Sequence, residues 1–93
     1  MTMEELRDAI NQIDSELLRL FNQRAALALE IGHIKKKLGL PIYDPQREKL
    51  IFERMRQDNP GPLDDAAVVR LYERVIDESR SLERAKSRKD KPS

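Results

Sequence analysis

Apolar side chains recur along residues 6–38 in steps that alternate between four and three positions, and no proline interrupts that stretch. The row consists of Leu6, Ile10, Ile13, Leu17, Leu20, Leu27, Ile31, Ile34 and Leu38. This spacing is typical of one long helix with a coiled-coil-like apolar seam. Thr2, followed three residues later by Glu5, predicts a capping box at its start. Gly39 and Pro41 predict its end.

Such a helix is too long to be buried by a single chain of 93 residues. At 1.5 Å per residue it would extend about 50 Å. A compact globule of this size has a radius of gyration of only about 12 Å. One end of the helix would therefore project and expose its seam to water. A second copy of the same chain is the simplest cover, so we expect an interlocked homodimer.

Two shorter helices are predicted to follow. Asp44 should cap the second helix with Pro45 at its first position, and the Asn-Pro-Gly-Pro segment at 59–62 should end it. The third helix should begin near Leu63–Asp64 and lose its apolar face after Ala85. The apolar positions predicted for these two helices are Leu50, Ile51, Met55, Val68, Leu71, Tyr72, Val75, Ile76 and Leu82. The expectation is an all-α fold.

The domain organisation predicted from this pattern is one helical domain, residues 1–86, and a flexible basic tail, residues 87–93. The chain has no cysteine and one histidine, His33, so thiolate chemistry is excluded and a metal site is not expected. The chain has 18 basic and 17 acidic side chains, and this balance gives no argument for binding to nucleic acid or to an anionic membrane. We find no membrane-spanning run and no secretory signal, and therefore expect a cytoplasmic protein.

Arg24 interrupts the apolar seam at a step where the pattern requires an aliphatic side chain. Burying an unpaired charge costs several kcal/mol, so the guanidinium needs a partner. Lys35 lies on the same face nearly three turns later, and the short residues Ala28 and Gly32 leave space between the two cations. This arrangement suits a small anion. The alternatives for Arg24 are a buried salt bridge or a polar residue that sets the register of the seam, and the alternative for Lys35 is an ordinary solvated basic run at residues 35–37.

Polar residues interrupt the predicted core in two further places. The core-facing row of the third helix becomes polar at its end, since its members are Tyr72, Ile76, Ser79 and Glu83. The first turn of the second helix carries a charged cluster of Asp44, Arg47 and Glu48, which helix capping and surface charge would explain equally well. The residues alone thus predict a helical oligomer with a cationic pocket for a small dianion, and they specify no reaction.

Five segments carry a resemblance to a known family. They are LRDAINQID at residues 6–14, LLRLFNQR at 17–24, EIGHIK at 30–35, YDPQRE at 43–48 and ESRSLE at 78–83. In this order and spacing they resemble the all-helical chorismate mutases, three-helix enzymes that form interlocked dimers. The resemblance implies conversion of chorismate to prephenate on the way to phenylalanine and tyrosine. That reaction is a [3,3] rearrangement that needs no cofactor, metal or nucleophile.

The resemblance also implies how the carboxylates of chorismate are bound. Arg24 would bind one carboxylate bidentately, and Arg7 of the partner subunit would bind the other. Arg47 and Ser79 would complete these contacts. Each pocket would then take cations from both chains, which agrees with a long helix shared across a dimer.

Four more residues of the resemblance would contact the rest of the substrate. Asp44, through its main chain, and Glu48 would hold the ring hydroxyl. Lys35 would donate to the ether oxygen, where negative charge grows as the C–O bond breaks, and Glu83 would assist at that oxygen. Lys35, Glu83 and Arg24 are therefore the predicted catalytic residues. Many members of the family have glutamine where this chain has Glu83, and a glutamate can donate a hydrogen bond only when protonated.

Three other functions remain as alternatives at this stage. The same fold serves isochorismate pyruvate lyases, whose substrate is a similar dianion. A non-catalytic helical interaction module would explain the apolar seam, but it would not explain Arg24 together with the polar residues in family register. Nucleic-acid binding through the basic tail is the least supported, because the chain offers no aromatic platform.

Overall fold

Three helices account for nearly all of the chain, as the sequence predicted. The computed structural model describes the backbone of residues 1–89 and the side chains of residues 1–86. Helix α1 spans Met3–Leu38, α2 spans Pro45–Asp58 and α3 spans Asp65–Lys89. No strand occurs in residues 1–89. The all-α fold with one long N-terminal helix is confirmed.

Local capping interactions set the ends of α1 and the start of α2. The Thr2 hydroxyl accepts a hydrogen bond from the Glu5 amide at 3.1 Å. Gly39 has a φ of 70°, a left-handed conformation that glycine adopts without steric cost, and its amide donates to carbonyls of the last turn. Asp44 Oδ1 accepts from the Arg47 amide at 3.1 Å. Each of these ends lies where the sequence predicted it.

The turn between α2 and α3 is held by side chains. Asn59 donates to the Leu63 carbonyl at 2.8 Å and to Asp65 Oδ1 at 2.9 Å. Asp64 caps α3 by accepting from the Ala67 amide at 2.7 Å. Glu48, at the start of α2, pairs with Arg80 near the end of α3, so the two helices are antiparallel neighbours.

The C-terminal end of α3 differs from the prediction. The pattern predicted that the apolar face would be lost after Ala85 and that residues 87–93 would form a flexible tail; the backbone of α3 continues to Lys89. Lysine and arginine have good helix propensity and interact favourably with the negative end of the helix dipole, so an apolar face is not needed for the last turn. Residues 90–93 of the predicted tail lie outside the described residues.

Helix α3 is the central element and packs against both other helices. Arg24 on α1 contacts Ser79, and Gly32, eight residues later, faces Glu83, so α1 and α3 run in the same general direction. Ile51 and Ile76 are the buried apolar residues in the described part of the chain. The predicted core positions Leu50 and Leu71 are exposed in the single chain, because none of the described residues packs on their side of α2 and α3.

The seam of α1 is largely uncovered in the single chain. No residue of α1 is buried, and the nine seam side chains expose between 42% and 67% of their surface. The chain extends 57 Å in its longest dimension, with a radius of gyration of 16.7 Å against the about 12 Å expected for a compact globule. None of the described helices combines the length and the apolar character that a membrane-spanning segment needs.

Candidate active site

A cleft of about 230 Å³ lies between α1, α3 and the first turn of α2. Seven of the eight predicted site residues line it: Arg24, Lys35, Asp44, Arg47, Glu48, Ser79 and Glu83. Aliphatic side chains from all three helices, among them Ile31, Ile51 and Ile76, form the rest of its wall together with Arg80. Residues that are far apart in sequence therefore meet around one cavity.

Arg24 extends from α1 towards α3. Its Nη1 donates to the Ser79 hydroxyl at 3.1 Å, and Ser79 is buried. Within the described residues no carboxylate lies at ion-pair distance from Arg24, so the structural salt bridge considered from the sequence is not found there. A guanidinium has five N–H donors, and the serine uses one of them. The remaining donors are sufficient for a bidentate contact with a carboxylate.

Lys35 is half-buried, whereas its neighbours Lys36 and Lys37 are exposed. Its ammonium donates to the Ile42 carbonyl at 3.2 Å. This bond ties the lysine to the segment that connects α1 with α2. An ammonium group has three donors, so two remain for a ligand in the cleft. Lys35 is thus distinct from the solvated face that the basic run could have represented.

Glu83 is held against α1 at Gly32. A Cβ atom built at Gly32 would lie 3.2 Å from Glu83 Cγ, so the glutamate stem occupies the space next to that glycine. The prediction that Gly32 leaves room for a ligand is therefore wrong, although Ala28 does line the cleft. Glu83 Oε2 is buried and has no hydrogen-bond partner among the described residues.

The electrostatic surroundings of Glu83 act in opposite directions. Burial raises the pKa of its carboxyl group, while the nearby cations Lys35, Arg24, Arg80 and Arg84 lower it. Burial is the larger effect, and the pKa lies above its ordinary value. The neutral acid, which can donate a hydrogen bond, is consequently favoured relative to an exposed glutamate.

The first turn of α2 supplies the third side of the cleft. One carboxylate oxygen of Asp44 caps the helix by accepting from the Arg47 amide, so the capping interpretation is correct for that side chain. Glu48 turns inward, with a side chain that is only 17% exposed. Its Oε2 lies 3.6 Å from Arg80 Nε. Arg47 is exposed at the mouth of the cleft.

Arg80 is a cleft residue that the sequence reasoning missed. Besides its ion pair with Glu48, its guanidinium lies 5.0 Å from the centre of the Tyr43 ring. A usable signal was present, because Arg80 follows the core residue Ile76 by four positions and therefore shares its face of α3. The row of core-facing positions predicted from the sequence instead continued from Ile76 through Ser79 and Glu83.

Arg7 does not line the cleft of its own chain. Seventeen residues separate it from Arg24, which is about 25 Å along α1. The side chain is exposed near the start of the helix. Any contact between Arg7 and a ligand in such a cleft therefore requires a second chain.

Comparison with known proteins agrees with this geometry. The family model described as chorismate mutase type II matches residues 6–84. A chorismate mutase from Methanocaldococcus jannaschii is 32% identical over 83 residues, which cover 88% of this chain and 84% of that protein. A bifunctional chorismate mutase/prephenate dehydratase from Aquifex aeolicus is 44% identical over 86 residues. This chain spans 24% of that protein's length.

Solved structures show the same relationship. Chorismate mutase from Thermus thermophilus superposes with a TM-score of 0.87 at 35% identity, covering 88% of this chain and 93% of that one. Chorismate mutase from Helicobacter pylori, in complex with prephenate, superposes with a TM-score of 0.88 at 32% identity, covering 96% and 97%. The chain belongs to the type II chorismate mutase family. The family predicted from the sequence, the all-helical chorismate mutases, is confirmed.

Proposed function

We propose that this chain rearranges chorismate to prephenate in the cleft between α1, α2 and α3, and that each of the seven predicted site residues in the cleft has the role that the family resemblance implies. The observation that carries the proposal is the meeting of Arg24, Lys35, Ser79 and Glu83 with the first turn of α2 around one cavity. The Helicobacter pylori relative binds prephenate, which is the product expected here.

The charges of the cleft suit a dianion. Four cations line it, Arg24, Lys35, Arg47 and Arg80, against three carboxyl groups, Asp44, Glu48 and Glu83. If Glu83 is protonated, as its raised pKa favours, the excess of positive charge increases by one. Arg24 is the residue best placed to bind a carboxylate, because its guanidinium is oriented by Ser79 and has donors to spare.

The chemical step requires no group to be transferred between enzyme and substrate. The ether C–O bond breaks while a C–C bond forms, and negative charge develops on the ether oxygen in the transition state. Lys35 and the acid form of Glu83 are the two donors assigned to that oxygen. Donors that are already in place stabilise this charge without the reorganisation that water would need. The aliphatic walls favour a compact, reactive conformer of the substrate.

The proposed assembly is a homodimer in which Arg7 of the partner subunit completes each site. Two observations support it. The seam of α1 is exposed in the single chain, and an apolar surface of this length is typical of an interface. Arg7 lies too far from the cleft of its own chain to reach a ligand there. A cytoplasmic location is also part of the proposal, since a chain without cysteine fits a reducing compartment.

The deciding experiment supplies the purified protein with chorismate and follows loss of chorismate absorbance together with formation of prephenate. We expect prephenate to accumulate in equal molar amount. A parallel reaction with isochorismate tests the lyase alternative, because salicylate is fluorescent. Salicylate formation that exceeds prephenate formation would assign the cleft to the lyase reaction, and inactivity on both substrates would favour a non-catalytic module.

A further inference from the structure

Arg80 is the cleft residue for which the family resemblance supplies no role. It lies on α3 between Ser79 and Glu83, and its side chain is 23% exposed. Its contacts reach two other parts of the molecule, the first turn of α2 through Glu48 and the connecting segment through Tyr43. A third contact is within its own helix, where Nη2 donates to Asp77 Oδ1 at 2.6 Å.

The contact with Glu48 is an inward-facing ion pair. Arg80 Nε and Glu48 Oε2 are 3.6 Å apart, and the two side chains expose only 23% and 17% of their surface. By comparison, Arg74 and Glu78 on the same helix form a pair whose side chains expose 78% and 62%. Ion pairs between exposed side chains contribute little to stability, because solvent screens the charges. A carboxylate that is as buried as Glu48 depends far more on its partner.

The geometry at Glu48 leaves one oxygen available. Oε2 faces Arg80, and a carboxylate has two oxygens that accept hydrogen bonds. Arg80 Nε is itself buried and has no hydrogen-bond partner among the described residues, since 3.6 Å is too long for such a bond. A shift of about half an ångström by Glu48 would form it. The carboxylate is thus restrained through Oε2, while Oε1 has no hydrogen bond to any of the described residues.

The contact with Tyr43 positions a second element. The Arg80 guanidinium lies 5.0 Å from the ring centre, within the distance of a cation–π interaction. Tyr43 stands between Ile42, whose carbonyl accepts from Lys35, and Asp44, which begins α2. One side chain on α3 therefore contacts both the connecting segment and the helix turn that carry site residues.

We propose that Arg80 is a positioning residue that restrains Glu48 and the connecting segment, so that the free oxygen of Glu48 accepts the ring hydroxyl of chorismate. This inference rests on the proposed function. Arg80 acts through Glu48 and does not itself contact the reacting atoms. Its loss should weaken recognition of the hydroxyl more than it weakens the action of Lys35 and Glu83 on the ether oxygen.

The test compares Arg80→Gln with the wild type, with Arg80→Lys as the conservative variant and Arg74→Gln as the matched control on the exposed face of α3. Arg80→Gln should raise KM for chorismate about tenfold, the loss expected for one charge-assisted hydrogen bond, with a smaller change in kcat. Arg80→Lys should recover part of that loss, because it keeps the charge but not the planar group. Arg74→Gln should remain within about twofold of wild type.

Two further measurements distinguish positioning from general destabilisation. Arg80→Gln should weaken binding of a chorismate analogue that lacks the ring hydroxyl much less than it weakens binding of chorismate. Adding Glu48→Gln to Arg80→Gln should cause little further loss, because the two residues act as one unit. Equal weakening of both ligands, or additive effects of the two substitutions, would overturn the proposal. If circular dichroism shows that Arg80→Gln is unfolded, the same comparison is made with Arg80→Lys.

The wild-type assay separates this inference from the proposed function. An inactive wild-type protein contradicts the proposed function itself. An active wild type whose KM is unchanged in both Arg80 variants contradicts only the role of Arg80.

Discussion

The Arg24 guanidinium on α1 and the Ser79 hydroxyl on α3 are joined by a hydrogen bond of 3.1 Å. Ser79 is the buried polar side chain of the described residues, so the end of this bond on α3 is shielded from solvent. The position of the cation consequently depends on how α1 packs against α3. A substitution that shifts this packing should alter carboxylate binding even when it leaves Arg24 in place.

Dimerisation should depend on the N-terminal half of the α1 seam. Ile13→Lys places a charge in an apolar surface that we expect to be buried by a second chain, so sedimentation at micromolar concentration should show monomers or unfolded protein. Ser15→Lys is the matched control, because Ser15 lies about 160° around the helix from Ile13. It should leave two chains per particle, as in the wild type. A wild type that is monomeric, folded and active would refute the shared-site assembly.

A site shared between two chains predicts complementation. Arg7→Ala and Arg24→Ala should each be nearly inactive, because each leaves a substrate carboxylate without a charged partner. After subunit exchange, a heterodimer has one site that lacks both cations and one site that is intact. Its activity should approach half that of the wild type.

The control for this experiment is a mixture of each variant with itself under the same exchange conditions, which should stay inactive. Subunit exchange should be verified independently, for example with chains that differ in mass. Persistent inactivity of verified Arg7→Ala/Arg24→Ala heterodimers would show that the two arginines do not serve one site from different chains.

Lys35 should act mainly on the chemical step. Its contact with the ether oxygen strengthens as charge develops there, so Lys35→Ala should lower kcat by about 10² to 10³ and change KM less. Lys37→Ala is the matched control, because Lys37 belongs to the same basic run but is exposed and should have almost no effect. A rise in KM without a change in kcat would assign Lys35 to ground-state binding.

The helix ends of this fold were predictable because they depend on residues close in sequence. Thr2, Gly39 and Asp44 act within four residues of themselves, and their backbone contacts are as predicted. The end of α3 was not predictable from apolar periodicity, since propensity and dipole effects extend the helix to Lys89 without an apolar face.

The residues of the site likewise divide into those that could be predicted from one helix and those that could not. Arg24 and Lys35 could be selected from one helix alone, because they share a face and Arg24 breaks an apolar row. The contacts of Arg80 could not be predicted from the sequence, because Tyr43 and Glu48 lie outside α3 and are brought to it only by tertiary packing. The prediction that the space beside Gly32 is open was wrong for the same reason, because the Glu83 side chain that fills this space comes from α3.

Gly32→Ala should separate activity from stability. Alanine is favoured over glycine in a helix by about 1 kcal/mol, so Tm should be maintained or raised. The added methyl group would lie 3.2 Å from Glu83 Cγ and push that side chain by a few tenths of an ångström. We expect kcat/KM to fall about tenfold, because positioning at the reacting oxygen is sensitive to such shifts.

The matched comparison for Gly32→Ala is the same change in a Glu83→Ala background, where the methyl group has no carboxyl group to displace. There it should cause no further loss of activity. A decrease of equal size in both backgrounds would mean that Gly32 affects the cleft through α1 itself.

The protonation state of Glu83 should make kcat/KM depend on pH. To donate to the ether oxygen it must be protonated, and burial raises the pKa of this carboxyl above its ordinary value despite the opposing cations Lys35 and Arg24. The active form is the acid, so kcat/KM should fall as pH rises through the raised pKa. The carboxylates of bound chorismate should raise the pKa further in the complex, which would shift the decline of kcat to higher pH.

Glu83→Gln replaces this titrating donor by a permanent one. Between roughly pH 5 and 9 its kcat/KM profile should be flatter than that of the wild type, with equal or higher activity on the alkaline side. Glu78→Gln, an exposed change on the same helix, should keep the wild-type profile. If Glu83→Gln instead lowers activity at high pH, then Glu83 works as a carboxylate that orients Lys35. In that case the hydrogen bond to the ether oxygen comes from the lysine alone.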